Sequence, residues 1–198
     1  MTLLSSIACC VDFTNLVQYL PMILKVARLG NPVLRLKAGP VQIGQIRSPG
    51  LQAFLEHMVE TMQEYDGVGI AAPQVHVSSQ VAVIGVGRNR RYPKAPKIPL
   101  TVLINPQVKP VSRVVEEDWE GCLSVEGFRG LVPRWREVEV RAYNDQGAPV
   151  HFRAKGFFAR VIQHEWDHLQ GKVFLDRMKG LSTLTHLTEY GRYWAKHG

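Results

Sequence analysis

His164 and His168 stand four residues apart, with Glu165 directly after the first, in the stretch "QHEWDH" at 163–168. On an α-helix, positions i and i+4 share a face. The two imidazoles would project together and could grip one cation, while the carboxylate beside them takes a proton from water. H-E-x-x-H on a helix is the pattern of metal-dependent hydrolases, with the glutamate as general base. Two imidazoles do not complete a metal site. A five-residue pattern also arises by chance on a charged helix face, so the reading depends on a third ligand.

Two candidates offer themselves. Glu189 lies 21 residues after His168 and would supply a carboxylate. Upstream, "EGCLSVEG" (120–127) contains Cys122. A thiolate with two imidazoles leaves one coordination position open for reaction. A lone cysteine is more often a buried core residue, but beside an H-E-x-x-H with no other obvious ligand the balance moves to Cys122.

A third stretch, "GVGIAAPQ" (67–74), adds Gly67 and Gly69, which permit close backbone approach, and Gln74, whose amide can donate to an oxyanion. Its glycines do not form G-x-G-x-x-G, and they follow a helix rather than a strand, so this is no dinucleotide fingerprint. Phe157, Arg160 and Val161 precede His164 by seven, four and three residues. Phe157 and Val161 could wall a pocket for an aliphatic side chain, or simply fill the core.

These residues need elements to hold them. "SPGLQAFLEHMVETMQEYDG" predicts a helix capped by Ser48, with Pro49 in its first turn and an apolar face of Leu51, Phe54, Leu55, Met58, Val59 and Met62, ending at Gly67. "QVAVIGV" (80–86) and "TVLINP" (100–105) predict strands. Between them runs "GRNRRYPKAPKIP", a loop with five basic residues and three prolines that reads as solvated surface. Residues 136–156 predict a hairpin turning at "NDQG". A helix over 157–169, between Gly156 and Gly171, carries the histidines, and a third is expected at about 181–195. The order predicts a single α+β domain with antiparallel or mixed β-sheets around a central metal-binding helix.

The chain has 198 residues, 45% hydrophobic and 21% charged, a formal charge of +7 and a pI of about 9.5. No apolar stretch reaches the roughly 18 residues of a membrane span, so no membrane role is expected. The basic balance suits a polyanionic neighbour such as ribosomal RNA, but no recognition motif accompanies it, and DNA binding is not expected. Three cysteines, Cys9 and Cys10 side by side and Cys122 far away, form no disulfide framework and fit a reducing, cytoplasmic setting. Residues 1–21 contain no Lys or Arg and match neither a signal nor a transit peptide. They are expected to be an extension outside a catalytic domain at 22–180, with a C-terminal helix or tail at 181–198.

"GVGIAAPQ", "EGCLSV" and "QHEWDHLQG" together resemble, in order and spacing, the three signatures of peptide deformylases. The resemblance spans about residues 22–179. It implies an enzyme of protein biosynthesis that removes the N-formyl group from the formyl-methionine of nascent polypeptides and releases formate. Cys122, His164 and His168 would hold one divalent metal, Fe²⁺ first, with Ni²⁺, Co²⁺ or Zn²⁺ as substitutes. Glu165 would be the acid/base. Gln74 and the Leu123 N–H would stabilise the oxyanion, and Gly69 would bond the substrate backbone. Val68, Phe157 and Val161 would form the methionine pocket, and Asp167 with Arg134 would steady the site. Some positions depart from the pattern: Trp166 is bulky and expected off the ligand face, and Arg160 puts charge at an apolar wall, where it would meet peptide carbonyls at the rim. The rivals are another H-E-x-x-H metallopeptidase using Glu189, and a ribosome-associated structural-zinc module in which Glu165 and Gln74 would be idle.

Overall fold

The computed structural model describes residues 22–87, Tyr92 and residues 95–195. The expected extension at 1–21 lies outside them. Helix α1 runs Pro49–Glu64, and the Ser48 side chain accepts from the Leu51 N–H, as a capping serine should. Leu51, Phe54, Leu55, Met58 and Met62 form its buried face. The chain leaves the helix through a Gly67 N–H bond to the Met62 carbonyl (2.7 Å) and enters the first strand.

That strand is β1 (Gly69–Ala71), followed by β2 (Val81–Val86) and β3 (Ile98–Pro110). Then come β4 (Val115–Cys122), β5 (Val125–Trp135), β6 (Glu137–Tyr143) and β7 (Pro149–Lys155). Helix α2 spans Gly156–Leu169, and β8 (Thr185–His186) and α3 (Leu187–Tyr193) close the described chain. The strands form a five-stranded sheet, β1-β2-β3-β6-β7, and a three-stranded sheet, β4-β5-β8. Every pairing within them is antiparallel, which resolves the antiparallel-or-mixed expectation.

The β6–β7 hairpin follows the expected turn: Gly147 has φ +74, and the Asn144 side chain accepts from the N–H groups of Gln146 and Ala148. The β4–β5 hairpin is larger than the sequence suggested, and β3 runs well past 105. The third helix is shorter than expected. Residues 181–183 form a 3-10 turn and 185–186 a strand on β5, so only Leu187–Tyr193 is α-helical.

Helix α2 lies between the sheets. Ala159, Val161 and Ile162 pack with Ile84, Leu103, Val138, Val140 and Ala154 of the larger sheet. Fully burying side chains of this size contributes about 1.5–3 kcal/mol each. The face bearing the histidines turns toward β4 and β5. At its end Gly171 adopts φ +71, where a Cβ would stand 2.6 Å from the Arg35 carbonyl, so this tight exit requires glycine.

Candidate metal centre

Cys122 ends β4, just past an irregularity in its pairing with β5 between Glu120 and Cys122. Its thiol meets the two imidazoles of α2: the ligand atoms of Cys122, His164 and His168 all lie within 4.8 Å of one another. Cys122 Sγ is 3.3 Å from His168 Nε2, and it accepts from the Ser124 N–H (3.4 Å) and the Gln74 amide (3.5 Å). Burial raises the thiol's pKa, but His168 and His164 outweigh it and hold the group well below its ordinary range. Glu189, the rival ligand, stands on α3 paired with Arg192 (3.0 Å) and is not in the cluster.

Glu120 completes this arrangement, and the sequence reading missed it. Its carboxylate is buried. One oxygen accepts from Arg134 Nε (2.9 Å) and Arg160 Nη1 (2.8 Å); the other accepts from Arg134 Nη2 (3.0 Å) and meets His164 Nδ1 (2.9 Å). Burial alone would raise its pKa; Arg134 and His164 instead hold it far below the carboxylate range. A histidine engaged through Nδ1 has Nε2 left for a cation, and such partners fix ring orientation and tautomer. The expected Asp167–Arg134 pair is present. Asp167 also binds Arg177, with Nη2 2.5 Å from Oδ1. Two buried carboxylates and their arginines thus brace the helix that carries the histidines.

Glu165 differs from both. Its Oε2 is buried without a hydrogen-bond partner among the described residues. Burial raises its pKa to about 7 from an ordinary 4.5, against the opposing charges of His164 and His168. The carboxylate lies so close to β1 that a Cβ on Gly69 would stand 2.5 Å from Oε1. Gly69 therefore leaves the room that the Glu165 carboxylate occupies.

The cleft at this centre is lined by Val68, Gly69, Gln74, Leu123, Phe157 and Val161. The structure brings these expected residues together. Gln74 is fixed by its own backbone neighbour, its Oε1 accepting from the Ala71 N–H (2.9 Å), which leaves Nε2 facing Cys122 and Ser124. Arg160 corrects the expectation made for it. Its guanidinium does not wait at the rim; besides Glu120, it donates to the carbonyls of Val132 (2.8 Å) and Glu116 (2.7 Å). Those carbonyls belong to strands remote in sequence from α2. Trp166 packs in the core cluster around β6 and β7, off the ligand face as expected.

A family model, Polypeptide deformylase, matches residues 23–183. The chain belongs to the peptide deformylase family. Among its relatives, peptide deformylase 1 of Bordetella pertussis is 45% identical over 161 residues, covering 81% of this chain and 90% of the relative. Peptide deformylase 2 of Ralstonia nicotianae is 46% identical, covering 80% and 88%. The class I type b peptide deformylase of Acinetobacter baumannii, solved with Met-Ala-Ser bound, superposes with a TM-score of 0.78 at 40% identity, over 80% of this chain and all of that one. The peptide deformylase of Thermotoga maritima gives 0.70 at 34% identity, over 80% and 99%. The deformylase family is metal-dependent, and the Cys122/His164/His168 cluster is this member's candidate for the metal.

Proposed function

We propose that this chain hydrolyses the N-terminal formamide of formyl-methionyl nascent polypeptides, releasing formate and a free amine. The observation that carries the reading is Glu165: a buried carboxylate, raised to about 7, with one oxygen that has no partner among the described residues, beside the Cys122/His164/His168 cluster.

One thiolate and two imidazoles suit a borderline divalent ion and disfavour Mg²⁺ or Ca²⁺, which prefer oxygen ligands. Cys122, His164 and His168 would hold it, with Fe²⁺ as our assignment and Ni²⁺, Co²⁺ or Zn²⁺ as substitutes. When bound, such an ion is a Lewis acid that lowers the pKa of water and polarises a carbonyl.

The protein's own groups do the rest. Glu165 takes a proton from the attacking water and returns it to the leaving amine. A carboxyl group that titrates near neutrality can do both. Gln74 Nε2 and the Leu123 N–H donate to the oxyanion as the formyl carbon becomes tetrahedral; losing one such donor typically costs about 2.7–4 kcal/mol. Gly69 offers its backbone to the peptide, and Val68, Phe157 and Val161 receive the methionine side chain. Arg134, Asp167 and Glu120 hold the histidines in register.

Catalysis is assigned to residues 22–180, with 181–198 as a C-terminal tail and 1–21 as an extension. We assign the enzyme to the cytoplasm, where formylated nascent chains would meet it, and a charge of +7 favours contact with the ribosome. No helix among the described residues is long and apolar enough to cross a membrane. Formate release from formyl-Met-Ala-Ser, measured anaerobically, tests the activity; none from fully metallated protein would refute it. Co-sedimentation with ribosomes at low salt tests the contact, and its absence would count against that part alone.

A further inference from the structure

One wall of the cleft is aromatic, and deformylation itself does not require it. Trp119 lines the cleft with Tyr92 and Gly121. Trp119 and Gly121 are both half-buried on either side of the buried Glu120 and both line the cleft, with Trp119 further along β4 from Cys122. Gly121 has no side chain to fill the cleft at that point, and its N–H is held by the Tyr92 hydroxyl.

The indole is held from outside the cleft. Its ring stacks edge-on against Tyr190 of α3, with centroids 5.0 Å apart, and at a tilt against Trp194 at 5.3 Å. Tyr190 also stacks with the buried Arg129 guanidinium at 4.9 Å, which meets the Tyr92 ring at 4.6 Å. Tyr92 in turn packs on Phe157 at 5.5 Å, and its hydroxyl accepts from the Gly121 N–H. The C-terminal helix thus reaches the cleft through a run of stacked side chains.

We propose that Trp119 is a specificity-determining wall for the residue that follows the formyl-methionine, favouring an apolar or aromatic side chain there. Tyr190 and Trp194 position it. This rests on the deformylase reading. With strands advancing about 3.3 Å per residue, Trp119 stands roughly 10 Å along β4 from Cys122. That distance spans the formyl group and about two peptide residues. The methionine side chain is taken by Phe157 and Val161, so the next residue falls to Trp119. An indole presents apolar and π surface without charge, and a well-placed aromatic pair is worth about three- to tenfold in affinity.

The test compares kcat/KM for formyl-Met-Phe-Ser, formyl-Met-Ala-Ser and formyl-Met-Asp-Ser. The unaltered enzyme should prefer Phe to Ala by about three- to tenfold, mainly through KM, and Asp should be the poorest. Trp119→Ala should bring the Phe/Ala ratio near one, and Trp119→Phe should keep most of it. Tyr190→Ala should lower the ratio with Trp119 in place. Met-Phe-Ser should quench tryptophan fluorescence in the unaltered protein and not in Trp119→Phe. An equal Phe/Ala ratio in the unaltered enzyme and Trp119→Ala, or equal quenching with and without Trp119, would overturn the proposal. A full ratio in Tyr190→Ala would overturn the positioning by α3. If no formyl peptide is cleaved, the deformylase reading fails, while quenching still decides whether Trp119 meets the peptide.

Discussion

Replacing Glu165 by glutamine should separate chemistry from stability. The carboxyl is buried and its pKa is raised from 4.5 to about 7. A carboxylic acid that ionises less readily folded than unfolded contributes stability in full below 4.5. That contribution is lost as pH rises through about 7, because the unfolded chain releases its proton first. Over this window the loss is about 3 kcal/mol. Glutamine does not titrate. In metal-stripped protein, the stability of Glu165→Gln relative to the unaltered chain should therefore grow by about 3 kcal/mol between pH 4.5 and 8. Urea unfolding followed by tryptophan fluorescence, under reductant and chelator, would measure it. With metal restored, the variant should bind as much metal and lose roughly 10²–10⁴-fold in turnover of formyl-Met-Ala-Ser, the typical share of a general acid–base. Parallel pH–stability curves for the two proteins would refute the argument from the buried carboxyl. Undiminished turnover would refute the catalytic role.

Three further outcomes are expected. Cys122→Ser should lower or change metal content by elemental analysis, since a hydroxyl does not replace a thiolate at neutral pH; unaltered content would remove Cys122 from the ligand set. Glu120→Gln leaves the buried Arg134 and Arg160 without their shared counter-charge. It should destabilise by about 3–5 kcal/mol and weaken metal binding roughly 10- to 100-fold, as equilibrium unfolding and chelator competition would show. Gly69→Ala would drive a methyl group into the Glu165 carboxylate. It should cost about 1–3 kcal/mol and lower kcat with the metal retained, checked by calorimetry and single-turnover formate release.

What the sequence made legible follows from what is local. The H-E-x-x-H helix shows because spacing on a helix is itself geometry, and Gly156 and Gly171 mark its ends. Cys122 could be reached by asking what a two-histidine site lacks. Glu120 could not: it follows Glu116, Glu117 and Asp118, an acidic run that reads as solvated edge, and only pairing with β5 turns it inward beside Arg134. Its position directly before the Gly-Cys pair was the one available signal. Arg160 misled for a related reason. Its four-residue offset from His164 points it toward the site, but the carbonyls of Glu116 and Val132 that capture it are non-local. The last helix was overextended because the apolar residues after 181 continue a helical pattern, whereas pairing of 185–186 with β5 interrupts it.

The segment ahead of α1 makes one more feature consequential. Ala27 donates its backbone N–H to the Gln74 carbonyl, Leu29 to that of Ser124 and Ala38 to that of Leu169, and the Arg28 side chain bonds the Leu123 carbonyl. An early stretch of chain is thus stitched to all three segments of the site, the last of them at the end of α2. Closing such long loops has an entropic cost that only the assembled core offsets. During synthesis the final stitch cannot form until Leu169 has emerged, so a growing copy lacks the assembled site until then. A chain lacking either this segment or α2 has no means of closing the last of these stitches.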